Sequence, residues 1–99
     1  MSEINVVWSA KGKNTYEEIV ESLNSRWTHQ EVNYFILRTE TVIKKIAENP
    51  YMFQQYKDNP FLRRAVLHDT VILIYQITAD GNTINLITFR GTRQKPWKS

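Results

Sequence analysis

Ninety-nine residues, 41% of them hydrophobic and 23% charged, suffice for one core and predict a single domain over residues 1–99. The absence of cysteine excludes a disulfide scaffold and any thiolate-held metal or cluster, and fits a reducing cytoplasm. The longest apolar run, Val71 to Tyr75, is far below the roughly 18 residues of a membrane helix, and Met1-Ser-Glu-Ile4 lacks signal-peptide character. A cytoplasmic location without a membrane partner is the expectation.

The charge is unevenly spread. Residues 1–58 carry seven Lys/Arg against eight Asp/Glu, whereas residues 59–99 carry six against two, so the net +3 comes from the second part. Arg90, Arg93, Lys95 and Lys98 crowd the last ten residues without an acid. Such asymmetry points to an anionic partner, either nucleic acid or an acidic protein segment, or else to a solvated basic tail.

Taken in order, Ile4-Asn-Val-Val-Trp8 is rich in β-formers and predicts a first strand, closed by a polar turn at residues 9–14. Thr15-Tyr-Glu-Glu18 has capping-box spacing, and Tyr16, Ile19, Val20, Leu23 and Trp27 follow with helical period, predicting a helix over 15–27. Thr28-His-Gln-Glu31 repeats the box and opens a longer helix whose stripe is Val32, Phe35, Ile36, Thr39, Val42, Ile43 and Ile46. Asn49-Pro50 stops it, since proline lacks an amide proton and disfavours helix in the preceding residue. The two helices are expected to form an antiparallel hairpin.

An aromatic connector with Tyr51, Phe53 and Tyr56 precedes Asn59-Pro60, and the period then becomes strand-like. Leu62 to Leu67 alternates, with Arg63 and Arg64 on opposite faces. His68-Asp69 predicts a tight turn, and Thr70 to Ile77 has the continuous apolar character of a central strand covered on both faces. Asp80-Gly81 predicts a hairpin turn into a last strand over 83–89. The expected fold is α+β, in the order β-α-α-β-β-β. A mainly antiparallel four-stranded sheet carries the N-terminal helical hairpin on one face and leaves the other partly open.

Most enzyme classes find no footing. His29 and His68 are the only histidines and show no metal-ligand spacing, no serine sits in a nucleophile elbow, and Gly91 makes no phosphate loop. No metal or other cofactor is expected. Glu17, Glu18, Glu21, Glu31 and Glu40 are read as capping and solubilising groups. There remain Arg63, Arg64, His68, Tyr75, Arg90, Arg93, Lys95 and Trp97, which a meander is expected to gather. Metal-free RNA cleavage needs a base for the 2′-hydroxyl, a cation for the phosphorane and an acid for the leaving oxygen, and these residue types supply all three. Trp97 or Tyr75 is also suited to stacking on a base. For each, packing or solvation is the plainer alternative.

The element order, the helix ending Ile46-Ala-Glu-Asn-Pro50, the Leu62-Arg-Arg-Ala-Val-Leu67 strand before a hydrophobic strand ending in Tyr75, and Thr92-Arg-Gln-Lys-Pro96 together resemble the RelE/ParE superfamily. These are toxins of bacterial type II toxin–antitoxin (plasmid stabilisation) modules. The resemblance covers Trp8 to Pro96. It implies growth inhibition until a cognate antitoxin neutralises the chain. It also implies one of two targets: DNA gyrase, bound by ParE-like members, or messenger RNA in the ribosome, cut without metal by RelE-like ones. Family nucleases carry a basic residue on the middle strand where this chain has Ile72, and the long helical hairpin is more ParE-like. A binding toxin is therefore expected, with an endoribonuclease or a non-toxic interaction domain as alternatives. If the chain is a nuclease, Arg64, His68, Tyr75 and Arg90 are the catalytic candidates. Arg63, Arg93, Lys95 and Trp97 are candidates for target binding. Trp27, Tyr34 and Phe53 are expected to expose apolar area to the antitoxin, in a groove between the hairpin and the sheet edge.

Overall fold

The computed structural model describes residues 4–68 and 71–91. The first strand, β1 (Asn5–Trp8), leads directly into α1 (Ala10–Asn24). The polar stretch expected to turn is instead the first part of this helix. Ser9 is its N-cap, its hydroxyl accepting from the Gly12 amide at 2.8 Å and donating to the Leu86 and Ile87 carbonyls at 2.8 and 3.0 Å. Thr15, the expected cap, lies one turn inside. Its hydroxyl donates to the Lys11 carbonyl at 2.7 Å and accepts from the Phe89 amide at 2.9 Å. Both hydroxyls serve the edge of a strand rather than a helix end alone.

The second box forms as its spacing predicts. Thr28 and Glu31 cap each other reciprocally at 3.2 and 3.0 Å, opening α2 (His29–Glu48). Val32, Phe35, Thr39, Val42 and Ile46 are its buried stripe, and Pro50 ends it in a 3-10 turn, Pro50–Met52. Within the aromatic connector lies a strand that was not expected, β2 (Gln54–Tyr56). It is followed by β3 (Asn59–His68), β4 (Val71–Ile77) and β5 (Thr83–Gly91). The hairpin between β4 and β5 turns at Gly81, whose φ of 75° is the left-handed conformation glycine tolerates.

The sheet therefore has five strands rather than four, in the order β1-β5-β4-β3-β2. β1 runs parallel to β5, pairing Asn5 with Thr83 and Trp8 with Leu86, and every other pairing is antiparallel. β4 is central and all but Gln76 of it is buried. The helices cover one face, where Ala65, Leu67, Leu73, Tyr75, Leu86 and Phe89 join Leu23, Phe35 and Ile46 in one core. Each leucine, isoleucine or phenylalanine among them contributes about 1.5–3 kcal/mol by leaving water.

Two bulges set which residues reach which face. On β5, Ile87 is the extra residue, because Ile74 pairs with Thr88 while Tyr75 pairs with Leu86. On β3 a second bulge lies between Val66 and His68. It turns His68 to the helix side, where its ring centroid is 4.9 Å from that of Trp27. Among the described residues no helix is long and apolar enough to cross a membrane.

Candidate functional site

The face of the sheet away from the helices is organised in cross-strand rows. Arg64, Ile74 and Thr88 form one, and Val66, Ile72 and Arg90 the next. Strand spacing puts the two arginine Cα atoms ~12 Å apart, within the combined reach of two guanidinium side chains. Arg90 is exposed and its Nη1 donates to the Tyr56 hydroxyl at 3.0 Å. Tyr56 belongs to β2, so this bond reaches from β5 over two intervening strands. Arg64 is half-buried, and its Nε is buried without a hydrogen-bond partner. An unpartnered cationic donor in a half-dry setting is unfavourable until an anion or another acceptor arrives. Ile72 and Ile74 make the middle strand of this face apolar, so its positive character comes from the flanking strands.

The residues expected to gather do not all gather. Arg64 and Arg90 are on the open face, whereas Tyr75 and His68 point to the other side. Strand alternation sends Tyr75 inward, fully buried, with its hydroxyl donating to the Pro50 carbonyl at 2.7 Å and Phe53 edge-on to its ring. Burial pushes its phenol well above the usual range, with the Arg63 guanidinium acting weakly the other way. Tyr75 thus lies away from Arg64 and Arg90, and the β3 bulge separates His68 from the arginines in the same way.

Arg63 is also committed. Its Nε donates to the Pro60 carbonyl at 2.9 Å, its Nη1 to those of Phe53 and Tyr51 at 3.0 and 3.4 Å, and its guanidinium lies 5.2 Å from the Tyr51 ring centroid. It fastens the connector between α2 and β2 to β3. Arg93, Lys95 and Trp97 lie outside the described residues.

The expected apolar surface divides as well. Tyr34 is 67% exposed and Trp27 half-buried. Together with Gln30, Glu31 and His68 they line a pocket of about 290 Å³. Phe53 is half-buried against the core beside Tyr75, away from that pocket. A second groove, of about 500 Å³, runs between α2 and the edge strand β1, lined by Val6, Leu37, Glu40, Thr41, Ile43, Lys44 and Ala47. Tyr56 and Leu37 were not singled out by the sequence. Tyr56 belongs to a strand too short to show alternation, and Leu37, 60% exposed, stands just off the buried stripe of α2.

Several solved structures share this architecture. The chain superposes on a chain of the chromosomal ParDE TA system from P. aeruginosa with a TM-score of 0.74, over 92% of this chain and 98% of that one, at 10% identity. The chain has the RelE/ParE fold. The RelBE2 toxin–antitoxin complex of Mycobacterium tuberculosis gives a TM-score of 0.61 at 10% identity, over 90% and 98% of the two chains. The E. coli toxin RelE gives 0.64 at 8%, over 98% and 90%. No protein-family model and no curated protein sequence matches the chain. In this chain, the helical hairpin covers one face of the sheet and the two arginines lie on the other.

Proposed function

We propose that this chain is the toxin of a type II toxin–antitoxin module in the bacterial cytoplasm. It stops growth by binding a macromolecular target, such as DNA gyrase, until an antitoxin neutralises it. The fold supports the toxin reading: its structural relatives include a ParDE system and a RelBE2 toxin–antitoxin complex. The observation that carries binding over cleavage is the division of the site. The cations Arg64 and Arg90 are on one face, while His68 and Tyr75 are on the other. Proton transfer at a phosphodiester requires acid, base and cation within hydrogen-bond reach of one set of reacting atoms. Two arginines on an open face are suited to holding an acidic surface without such chemistry.

Induction without antitoxin is expected to arrest growth, with DNA breaks that disappear in cells carrying a gyrase-resistant allele. Unimpeded growth with soluble protein accumulating would refute the toxin reading.

One observation favours a second reading, a metal-free messenger RNA endoribonuclease. The Tyr56 hydroxyl adjoins Arg90 on the same open face as Arg64, which puts a proton-bearing group next to two cations. On that reading Arg64 and Arg90 stabilise the phosphorane and Tyr56 handles a proton. Mapping RNA 5′ ends after induction separates the two. Codon-linked cuts lost in Tyr56→Phe and Arg90→Ala but retained in His68→Ala would establish cleavage, and their absence excludes it.

A further inference from the structure

We propose that the pocket at the start of α2 is a socket for the arginine side chain of a polypeptide partner. Its walls are aromatic: Trp27, tilted against His68 with ring centroids 4.9 Å apart, and Tyr34, whose ring is mostly exposed. Among the described lining residues Glu31 is the only carboxylate, and none is a lysine or arginine. Only one oxygen of Glu31 is used in the capping box, Oε1 accepting from the Thr28 amide at 3.0 Å, so Oε2 takes no part in it. The nearest cation on the same helix, Arg38, donates from Nε to the Leu67 carbonyl at 3.4 Å and does not line the pocket.

Aromatic faces beside a carboxylate attract a flat, weakly hydrated cation, and guanidinium matches this better than ammonium because it stacks as well as pairing. The pocket volume of about 290 Å³ is ample for one such side chain. A polypeptide rather than a free small cation is indicated by what adjoins it. Leu37 is 60% exposed one turn beyond Tyr34, and it also lines the groove toward β1. A partner segment laid along α2 would thus set an arginine in the socket and an apolar residue on Leu37. This rests on the reading that the chain is neutralised by another polypeptide.

The test is a titration of the full chain with Nα-acetyl-arginine methylamide, followed by NMR at the Trp27 indole N–H. A saturable shift is expected, weakened about fivefold or more in Glu31→Gln, which retains the capping oxygen, and in Tyr34→Ala. The citrulline counterpart should not saturate. A blocked Arg-Ala-Leu peptide should bind at least about threefold tighter than the single residue, with the gain lost in Leu37→Ser. No saturation in either the parent or an Arg93→Ser/Lys95→Ser chain, equal binding of citrulline, or an unchanged Glu31→Gln would overturn the socket. A peptide that gains nothing would overturn the polypeptide partner. Binding seen only in an Arg93→Ser/Lys95→Ser chain would assign the socket to this chain's own basic residues and overturn the partner as well. None of these outcomes touches growth arrest on induction, so failure here leaves the toxin reading standing, and failure of growth arrest leaves the titration interpretable.

Discussion

Arg90 and Tyr56, 34 residues apart in sequence, hydrogen-bond across the open face of the sheet at 3.0 Å. The bond steadies a guanidinium that would otherwise sample many rotamers, and it holds Arg90 over the strand that carries Arg64. If these two cations grip the target, the Arg64→Ala/Arg90→Ala variant should lose growth arrest while remaining folded. Each charge-assisted contact is worth about 1.5–3 kcal/mol, so even one substitution should raise the inhibitory dose about tenfold or more. Thermal unfolding should move by only a few degrees. A double variant as toxic as the parent would dismiss this face.

Arg63 should behave in the opposite way. Three carbonyls and the Tyr51 ring engage it, so Arg63→Ala should cost about 2–3 kcal/mol of stability in urea unfolding. Arg63→Lys should recover little, because an ammonium cannot reproduce the fork that reaches Pro60 and Phe53 together. A neutral outcome for Arg63→Ala would show that the connector is held by packing alone.

Tyr75 makes the fold sensitive to alkali. Its phenol is pushed above its ordinary value in the folded chain, first by burial. The stability it contributes is fully present below the unfolded phenol's pKa of about 10 and is lost as pH rises through the folded value. In that window unfolding releases a proton, and stability falls by up to about 1.4 kcal/mol per pH unit from this group. Tyr75→Phe should cost about 1 kcal/mol near neutrality, through the lost bond to Pro50, and show a shallower decline above about pH 10. Parallel curves for the two proteins would contradict this account.

Gly12 is where α1 meets β5. A Cβ placed there would run into the Leu86 carbonyl oxygen. Alanine favours an exposed helix over glycine by about 1 kcal/mol, yet Gly12→Ala should destabilise, because the obstacle is backbone. The expected loss is about 1–3 kcal/mol in urea unfolding, and a gain in Tm would rule out the close approach.

What the sequence made legible follows the strength of each local signal. Thr28 and Glu31 form their box because both partners of the reciprocal bond are present, and the stripe from Val32 to Ile46 is long enough to fix the buried face of α2. Thr15-x-x-Glu18 has the same spacing, yet the helix begins at Ala10, since Ser9 can cap it and bind β5 at once. That second task is tertiary and leaves no local pattern. Arg64 on the open face follows from alternation along β3, whereas Arg90 joins it only because the extra residue Ile87 shifts the phase of β5. The separation of His68 from them does not follow from alternation either, because a single extra residue in β3 reverses the side chain's direction and nothing in Leu-His announces it.

The parallel pairing of β1 with β5 has a bearing on how the molecule comes to exist. Asn5 must wait for Thr83, and the hydroxyl of Ser9 for the carbonyls of Leu86 and Ile87. During synthesis, the opening ribbon and the helix behind it therefore lack their native support until the closing ribbon has left the ribosomal tunnel. The sheet edge formed by β1 is thus completed only when the last strand of the sheet is in place.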